Sequence, residues 1–179
     1  MEPRIEDAVP EECLVILKEH GVDPDLIARL LDVHSELWFL EDRARSRRAT
    51  DGEIADVKRA IDRANGRRHD LIAAIDRPLL ARESPGATTL FSETPGELCD
   101  RLVILTLKIL NAGRNRDAED LPVEVRRSCE DKARRFELWR SFLRACMGRE
   151  LLALGAGEAL LPPRSEYKMY NDPLLNPVT

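Results

Sequence analysis

Apolar residues recur along this chain mostly at intervals of three and four, the spacing that places them on one side of an α-helix. Leu and Ala together number 44, against 24 for Val, Ile and Thr, and this composition also favours helices. The pattern predicts a short helix over Glu11 to His20, closed by Gly21. A longer one starts at Asp23 and Pro24, an N-cap residue and a proline suited to the first turn, and runs to about Arg47.

Capping signals mark the starts of the next helices. Thr50 and Glu53 have the spacing of a capping box, and the helix they open is predicted to end near Pro78. Thr94 and Glu97 repeat this spacing, with a helix expected to end near Gly113. The last helix starts around Pro122 and is expected to fray or bend at Gly148.

These elements predict an all-α fold, an antiparallel bundle of four main helices with a short N-terminal helix. The length of 179 residues and a 43% hydrophobic composition fit one helical domain spanning residues 1–179. Four Pro and two Gly between Gly155 and Thr179 exclude a long helix there, so residues 155–179 should form an extended C-terminal tail.

Composition and charge narrow the function classes. The net charge of -5 argues against nucleic acid as a partner, and the absence of a long apolar run argues against a membrane span. The first ten residues are acidic and lack an apolar stretch, so they resemble no targeting peptide and we expect a cytoplasmic protein. The cysteines are far apart and are expected to be reduced core residues: Cys13, Cys99, Cys129 and Cys146.

Polar side chains interrupt the apolar faces of three predicted helices. His34 and Glu41 lie seven residues apart on the face of the second, where a partly buried Glu41 needs a partner, either Arg45 or a group on another helix. Asn65 and Arg68 lie within the face of the third helix. Lys58 lies at the edge of that face. On the fourth helix, a narrow charged strip contains Glu97, Arg101 and Lys108.

A polar pocket between these helices accounts for all of the intruding side chains. Its predicted residues are His34, Glu41, Lys58, Asn65, Arg68, Arg101 and Lys108. Cations outnumber carboxylates in this set, which suits a small anionic ligand such as a phosphate or a carboxylate. A purely structural ion pair is the competing interpretation of His34 and Glu41.

Other kinds of chemistry have less support. No Glu-x-x-His pair of the di-iron type occurs, so we expect no metal and no other cofactor. Neither a Ser nor a Cys stands in the glycine context of a catalytic nucleophile. Lys58 or Lys108 could act as a nucleophile if it is desolvated beside an arginine, although lysines in such positions more often bind an anion.

Four blocks of the sequence resemble a family of bacterial proteins, domain of unknown function 4254 (DUF4254). They are HSELWFLEDRAR from His34, KRAIDRANGRRHDLIAAID from Lys58, SETPGELCDRLVILTLKI from Ser92 and YKMYNDPLLNP from Tyr167. The resemblance associates the chain with proteins encoded among glycosyltransferase and surface-saccharide genes. It also implies that the tail packs back on the bundle, where Tyr167, Lys168 and Asn171 would close the pocket.

Two functional hypotheses follow. In the first, the chain is a small enzyme, or a ligand-binding relative of one, acting on an anionic or sugar-like metabolite in a saccharide or specialised-metabolite pathway. Glu41 would be its general acid or base, and His34 and Asn65 would orient groups of the substrate. The anion would be bound by Lys58, Arg68, Arg101 and Lys108. In the second, it is a non-catalytic helical partner of a glycosyltransferase or another pathway enzyme. A homodimer is compatible with either, since helical bundles of this size commonly dimerise.

Overall fold

The computed structural model describes residues 4–80 and 86–162, and within them the chain is almost entirely helical. The helices are α1 (Ile5–Ala8), α2 (Glu11–Glu19), α3 (Asp25–Ala44), α4 (Asp51–Leu80), α5 (Pro95–Asp117) and α6 (Val123–Gly155). Two short strands, β1 (Thr89–Leu90) and β2 (Ala159–Leu160), pair in parallel. The all-α class and the four main helices, α3 to α6, are confirmed.

Contacts between neighbouring helices show that the bundle is antiparallel. Leu40 of α3 clusters with Val57 of α4, whereas Glu36 pairs with Arg67. Later residues of α3 therefore meet earlier residues of α4, so the two helices are antiparallel. Asp100, near the start of α5, meets Arg68 of α4. Helix α5 then packs extensively along α6.

Helix α5 is the most enclosed element, as its apolar sequence predicts. It contacts α1, α3, α4 and α6. Its buried residues are Pro95, Gly96, Leu98, Cys99, Asp100, Leu102, Val103, Leu105, Thr106, Leu107 and Ala112. A charged side chain that is buried on this helix needs a partner within the protein.

The predicted caps form at the starts of three helices. Thr94 Oγ1 accepts a hydrogen bond from the backbone N–H of Glu97 at 3.3 Å, and the Glu97 carboxylate accepts one from the N–H of Thr94 at 2.9 Å. Thr50 and Glu53 form the same reciprocal pair. The Asp23 carboxylate accepts from the backbone N–H of Asp25 at 3.0 Å, which satisfies a donor at the start of α3.

The structure differs from the sequence-based predictions at several element ends. Helix α1 is an extra turn, α4 continues past Pro78 to Leu80, and α5 continues past Gly113. Helix α6 runs through Gly148 without a break. The predicted tail contains β2, and its residues 163–179 lie outside the described part of the chain.

All four cysteines are free, and three of them are buried. Across residues 4–80 and 86–162, no helix combines the length and the apolar character needed to cross a membrane.

Candidate functional site

Three helices bring their polar side chains together beside the core. His34 on α3 contacts Asp100 on α5, with 2.8 Å between Nε2 and Oδ1. Arg68 on α4 holds the same carboxylate with two bonds, from Nε at 2.7 Å and from Nη2 at 3.0 Å. Asn65, one turn before Arg68, accepts a bond from Nη1 at 3.2 Å. The bidentate pairing fixes Asp100 in both position and orientation.

Asp100 is 7% exposed. Burial by itself would raise the pKa of its carboxyl, but the hydrogen bonds and charges of His34 and Arg68 outweigh burial and lower that pKa below its ordinary value. The negative charge is therefore compensated within the protein, and it favours a hydrogen bond from His34 Nε2.

A pocket of about 440 Å³ opens beside this cluster. Its walls come from α3, α4 and α5, the helices from which the sequence predicted a polar pocket. They are lined by His34, Leu37, Trp38, Glu41, Asp42, Arg45, Asn65, Arg68, Asp100 and Ile104. Four of the predicted site residues, His34, Glu41, Asn65 and Arg68, therefore lie around one pocket.

The charge of this pocket differs from the prediction. Among the described residues, three carboxylates line it, against two guanidinium groups and one histidine, so this part of the lining lacks the expected excess of cations. Both arginines already have carboxylate partners, because Arg68 binds Asp100 and Arg45 binds Glu41 at 2.9 Å. The Glu41 side chain is 44% exposed, and its partner is the Arg45 that the sequence suggested.

The three other described cations of the prediction lie elsewhere. Arg101 pairs with Glu93 at 2.5 Å and lies over the ring of Trp139, in a second cavity against α6. The reason is rotation, since adjacent helical residues point about 100° apart and Asp100 takes the position facing α3. Lys108 lies over the ring of Phe136, two turns beyond Asp100.

Lys58 is exposed on α4 and does not line the pocket. It lies ten residues before Arg68, which corresponds to about 15 Å along a helix, so a shared helix face does not bring the two side chains together. The predicted closing residues Tyr167, Lys168 and Asn171 lie outside the described residues.

Sequence reasoning missed the central residue of the site. Asp100 is absent from the predicted pocket residues, yet its carboxylate joins α3, α4 and α5. The available signal was a carboxylate on a helix that is apolar almost all round, because such a group must find a cation or a donor. Trp38 and Asp42, which stand in the family-like block from His34, also line the pocket.

The pair of His34 and Asp100 is an arrangement that can transfer a proton. A carboxylate that holds one imidazole nitrogen orients the ring and stabilises it when the other nitrogen takes up a proton. Within the described ranges, no group of three or more His, Cys, Asp and Glu side chains is arranged to hold a metal ion.

Comparison with known proteins gives one family. The model of the family described as protein of unknown function (DUF4254) matches residues 24–159, a range that contains α3, α4, α5 and the pocket but ends before the tail block from Tyr167. No curated protein and no solved structure matches the chain. Because the match covers most of its length, the chain belongs to the DUF4254 family.

Proposed function

We propose that the pocket binds a sugar-type metabolite and that His34, held by Asp100, is the proton acceptor of a reaction on it. The observation that carries this proposal is the buried pair of His34 and Asp100 at 2.8 Å in the wall of an open pocket. A structural ion pair alone would not require an adjacent cavity of about 440 Å³.

The lining of the pocket suits a hydroxyl-rich ligand. The pocket contains planar acceptors, the side-chain oxygens of Glu41, Asp42 and Asn65. It also contains planar donors, the guanidinium groups of Arg45 and Arg68, so each of these groups could bind adjacent hydroxyls of a sugar. Trp38 supplies an aromatic surface, which can cover the apolar face of a sugar ring. An anionic group on the same ligand would meet Arg45 or Arg68, so sugar phosphates and nucleotide sugars fall within the proposed class.

His34 is a better proton acceptor in this proposal than Glu41. The Glu41 carboxylate is 44% exposed and paired with Arg45, so we assign it to ligand binding. His34 is 4% exposed and oriented by a buried carboxylate, an arrangement suited to moving a proton away from water. The proposed setting is a bacterial cytoplasmic pathway that makes saccharides or specialised metabolites, and it rests on the family resemblance.

The first test is thermal unfolding in the presence of sugar phosphates, nucleotide sugars, free sugars and dicarboxylates. A ligand of the native state at about 100 times its Kd adds roughly 2.7 kcal/mol to the free energy of unfolding, which is a measurable rise in Tm. Trp38→Ala should abolish the rise, whereas Phe39→Ala, its exposed neighbour outside the pocket lining, should leave it unchanged.

Turnover is then followed by NMR with the ligand that raises Tm. His34→Gln should still bind this ligand but lose about 10²-fold or more in kcat, because proton transfer of this kind contributes 10²–10⁴-fold. If His34→Gln turns the ligand over at the wild-type rate, the catalytic assignment is wrong. A rise in Tm without turnover by the wild type would indicate a binding protein.

One observation favours the second candidate function, a non-catalytic partner of a glycosyltransferase or another pathway enzyme. Helix α6 exposes large apolar side chains along one side: Leu138 is 75% exposed, Phe142 63% and Leu152 68%. In this alternative, the stripe packs on the pathway enzyme. Leu138→Lys should then prevent binding to a purified glycosyltransferase of the same bacterium, measured by sedimentation, while His34→Gln should have no effect.

A further inference from the structure

A second cavity, of about 610 Å³, lies on the other side of α5, between α6 and the segment that contains β1. Aromatic and aliphatic side chains form much of its wall, including Trp139 and Phe142, which are 43% and 63% exposed. It shares no lining residue with the pocket around Asp100. The reaction proposed for His34 makes no use of this cavity.

Glu150 of α6 lines this cavity and is only 2% exposed. Its Oε1 is buried and has no hydrogen-bond partner among the described residues. Leaving a buried carboxyl oxygen unpaired costs about 1–3 kcal/mol, so this atom is expected to accept a hydrogen bond from an occupant of the cavity.

The charges around Glu150 indicate which kind of donor fits. Burial is the main cause that raises the pKa of Glu150 to about 8, and Asp76 on α4, Glu93 before α5 and Glu97 on α5 raise it further. These carboxylates disfavour another negative charge but would stabilise a positive one. Glu93 is paired with Arg101.

The remaining charged groups on the wall are Arg149 of α6, whose guanidinium bonds Cys146 Sγ, and the exposed Glu158 beside β2.

We propose that this cavity binds an apolar primary amine, whose ammonium group donates a hydrogen bond to Glu150 Oε1 while its alkyl or aryl part packs against Trp139 and Phe142. An ammonium ion supplies the missing donor and the positive charge together. The aromatic rings bury the apolar part and can also attract the cation through their faces. On binding, the Glu150 carboxyl loses its proton to the solvent and forms an ion pair with the ammonium.

The test is titration calorimetry of the full chain near neutral pH with phenethylamine and hexylamine. Their neutral counterparts, 2-phenylethanol and hexanol, keep the apolar part and replace the ammonium with a hydroxyl. We expect saturable binding of the amines, with a proton released that is detected by repeating the titration in buffers of different ionisation enthalpy. The alcohols should bind at least about tenfold more weakly.

Glu150→Gln separates this proposal from simple apolar binding. The amide matches the shape of the protonated acid, so the variant should fold, but it cannot ionise and should lose about tenfold or more in amine affinity together with the proton release. Glu158→Gln changes an exposed carboxylate in the same cavity, and its affinity for the amines should stay within about threefold of the wild-type value. Amine binding that is unchanged in Glu150→Gln, equally tight binding of the alcohols, or no saturation by either amine would overturn the proposal.

Discussion

The carboxylates of Asp76, Asp100 and Glu150 are all buried, but they have different partners. Asp76 accepts bonds from Thr94 Oγ1 and from the backbone N–H of Gly96, both at 2.7 Å. Asp100 binds the Arg68 guanidinium and the His34 imidazole, and the pKa of its carboxyl is lowered despite its burial. Glu150 Oε1 has no partner among the described residues, and the pKa of its carboxyl is raised. Asp100 and Glu150 are both buried, so the bonds from His34 and Arg68 account for the lowered pKa of the Asp100 carboxyl.

Glu150 should make the stability of the protein fall between about pH 5 and pH 8. The pKa of Glu150 rises from an ordinary value of 4.5 in the unfolded chain to about 8 in the folded one, chiefly by burial. Above pH 4.5 the unfolded state loses a proton that the folded state keeps until pH 8, so the unfolded state is favoured increasingly as pH rises. Glu150→Gln removes this effect, so its advantage over the wild type in free energy of unfolding should grow by roughly 2–4 kcal/mol as the pH rises from 5 to 8.

Urea denaturation at several pH values measures this difference. Glu158→Gln changes an exposed carboxylate, so its curve of unfolding free energy against pH should be parallel to that of the wild type. If the curves of Glu150→Gln and the wild type are also parallel from pH 5 to pH 8, Glu150 is ionised throughout that range, contrary to the prediction.

At the scale of elements, the start of α5 is pressed against α4. A Cβ atom on Gly96 would lie 2.6 Å from Asp76 Oδ1 and 2.7 Å from the backbone oxygen of Ile72. Since the second contact is with backbone, α4 and α5 could not both keep their positions around a larger residue. The same close approach allows Asp76 to accept the N–H of Gly96 in the first turn, where a helix favours negative charge.

Two glycine substitutions should have opposite effects on stability. Gly96→Ala should cost about 2–4 kcal/mol, because it overpacks this contact and disturbs the bond to Asp76. Gly66→Ala, at an exposed position within α4 where no atom of the described residues lies within 4 Å of the added Cβ, should instead stabilise the protein by about 0.5–1 kcal/mol.

Denaturant midpoints compare both variants with the wild type. A neutral Gly96→Ala would show that the contact between α4 and α5 is looser than described.

At the scale of the whole molecule, α6 holds both ends of the described chain. Arg144 Nε donates to the backbone oxygen of Ala8 at 3.0 Å, and its Nη2 donates to that of Asp7 at 2.5 Å. These bonds satisfy carbonyl groups at the end of α1. At the other end, β2 follows α6 and pairs with β1, so the segment before α5 is attached to the end of α6.

Arg144→Ala should loosen the N-terminal segment. Loss of its bonds to the backbone oxygens of Glu6, Asp7 and Ala8 should cost about 1–3 kcal/mol and speed hydrogen exchange in α1 and α2. Arg134→Ala removes another arginine of the same helix, whose exposed pair with Asp131 should contribute no more than about 0.5 kcal/mol. Equal losses of Tm in the two variants would contradict an anchoring role for Arg144.

The elements themselves were predictable because their signals are local. The capping boxes at Thr50 and Thr94 involve residues three apart, and both form as the spacing indicates. Helical periodicity likewise depends on residues within a turn or two, and it assigned α3 to α6. The pairing of β1 with β2 was not predictable, since two residues in each strand leave no pattern and their partners lie about seventy positions apart.

The sequence by itself determined the class of the fold, the main helices and the presence of polar residues on their faces. Only the tertiary structure decided which of these residues meet. A helical wheel gives the direction of a side chain but not the rotation and register of the neighbouring helix. Asp100 therefore took the central position between His34 and Arg68, while Arg101, one residue further, faces a different cavity on α6. Contacts between residues far apart in the chain depend on the packing of whole helices, and that packing formed the candidate site.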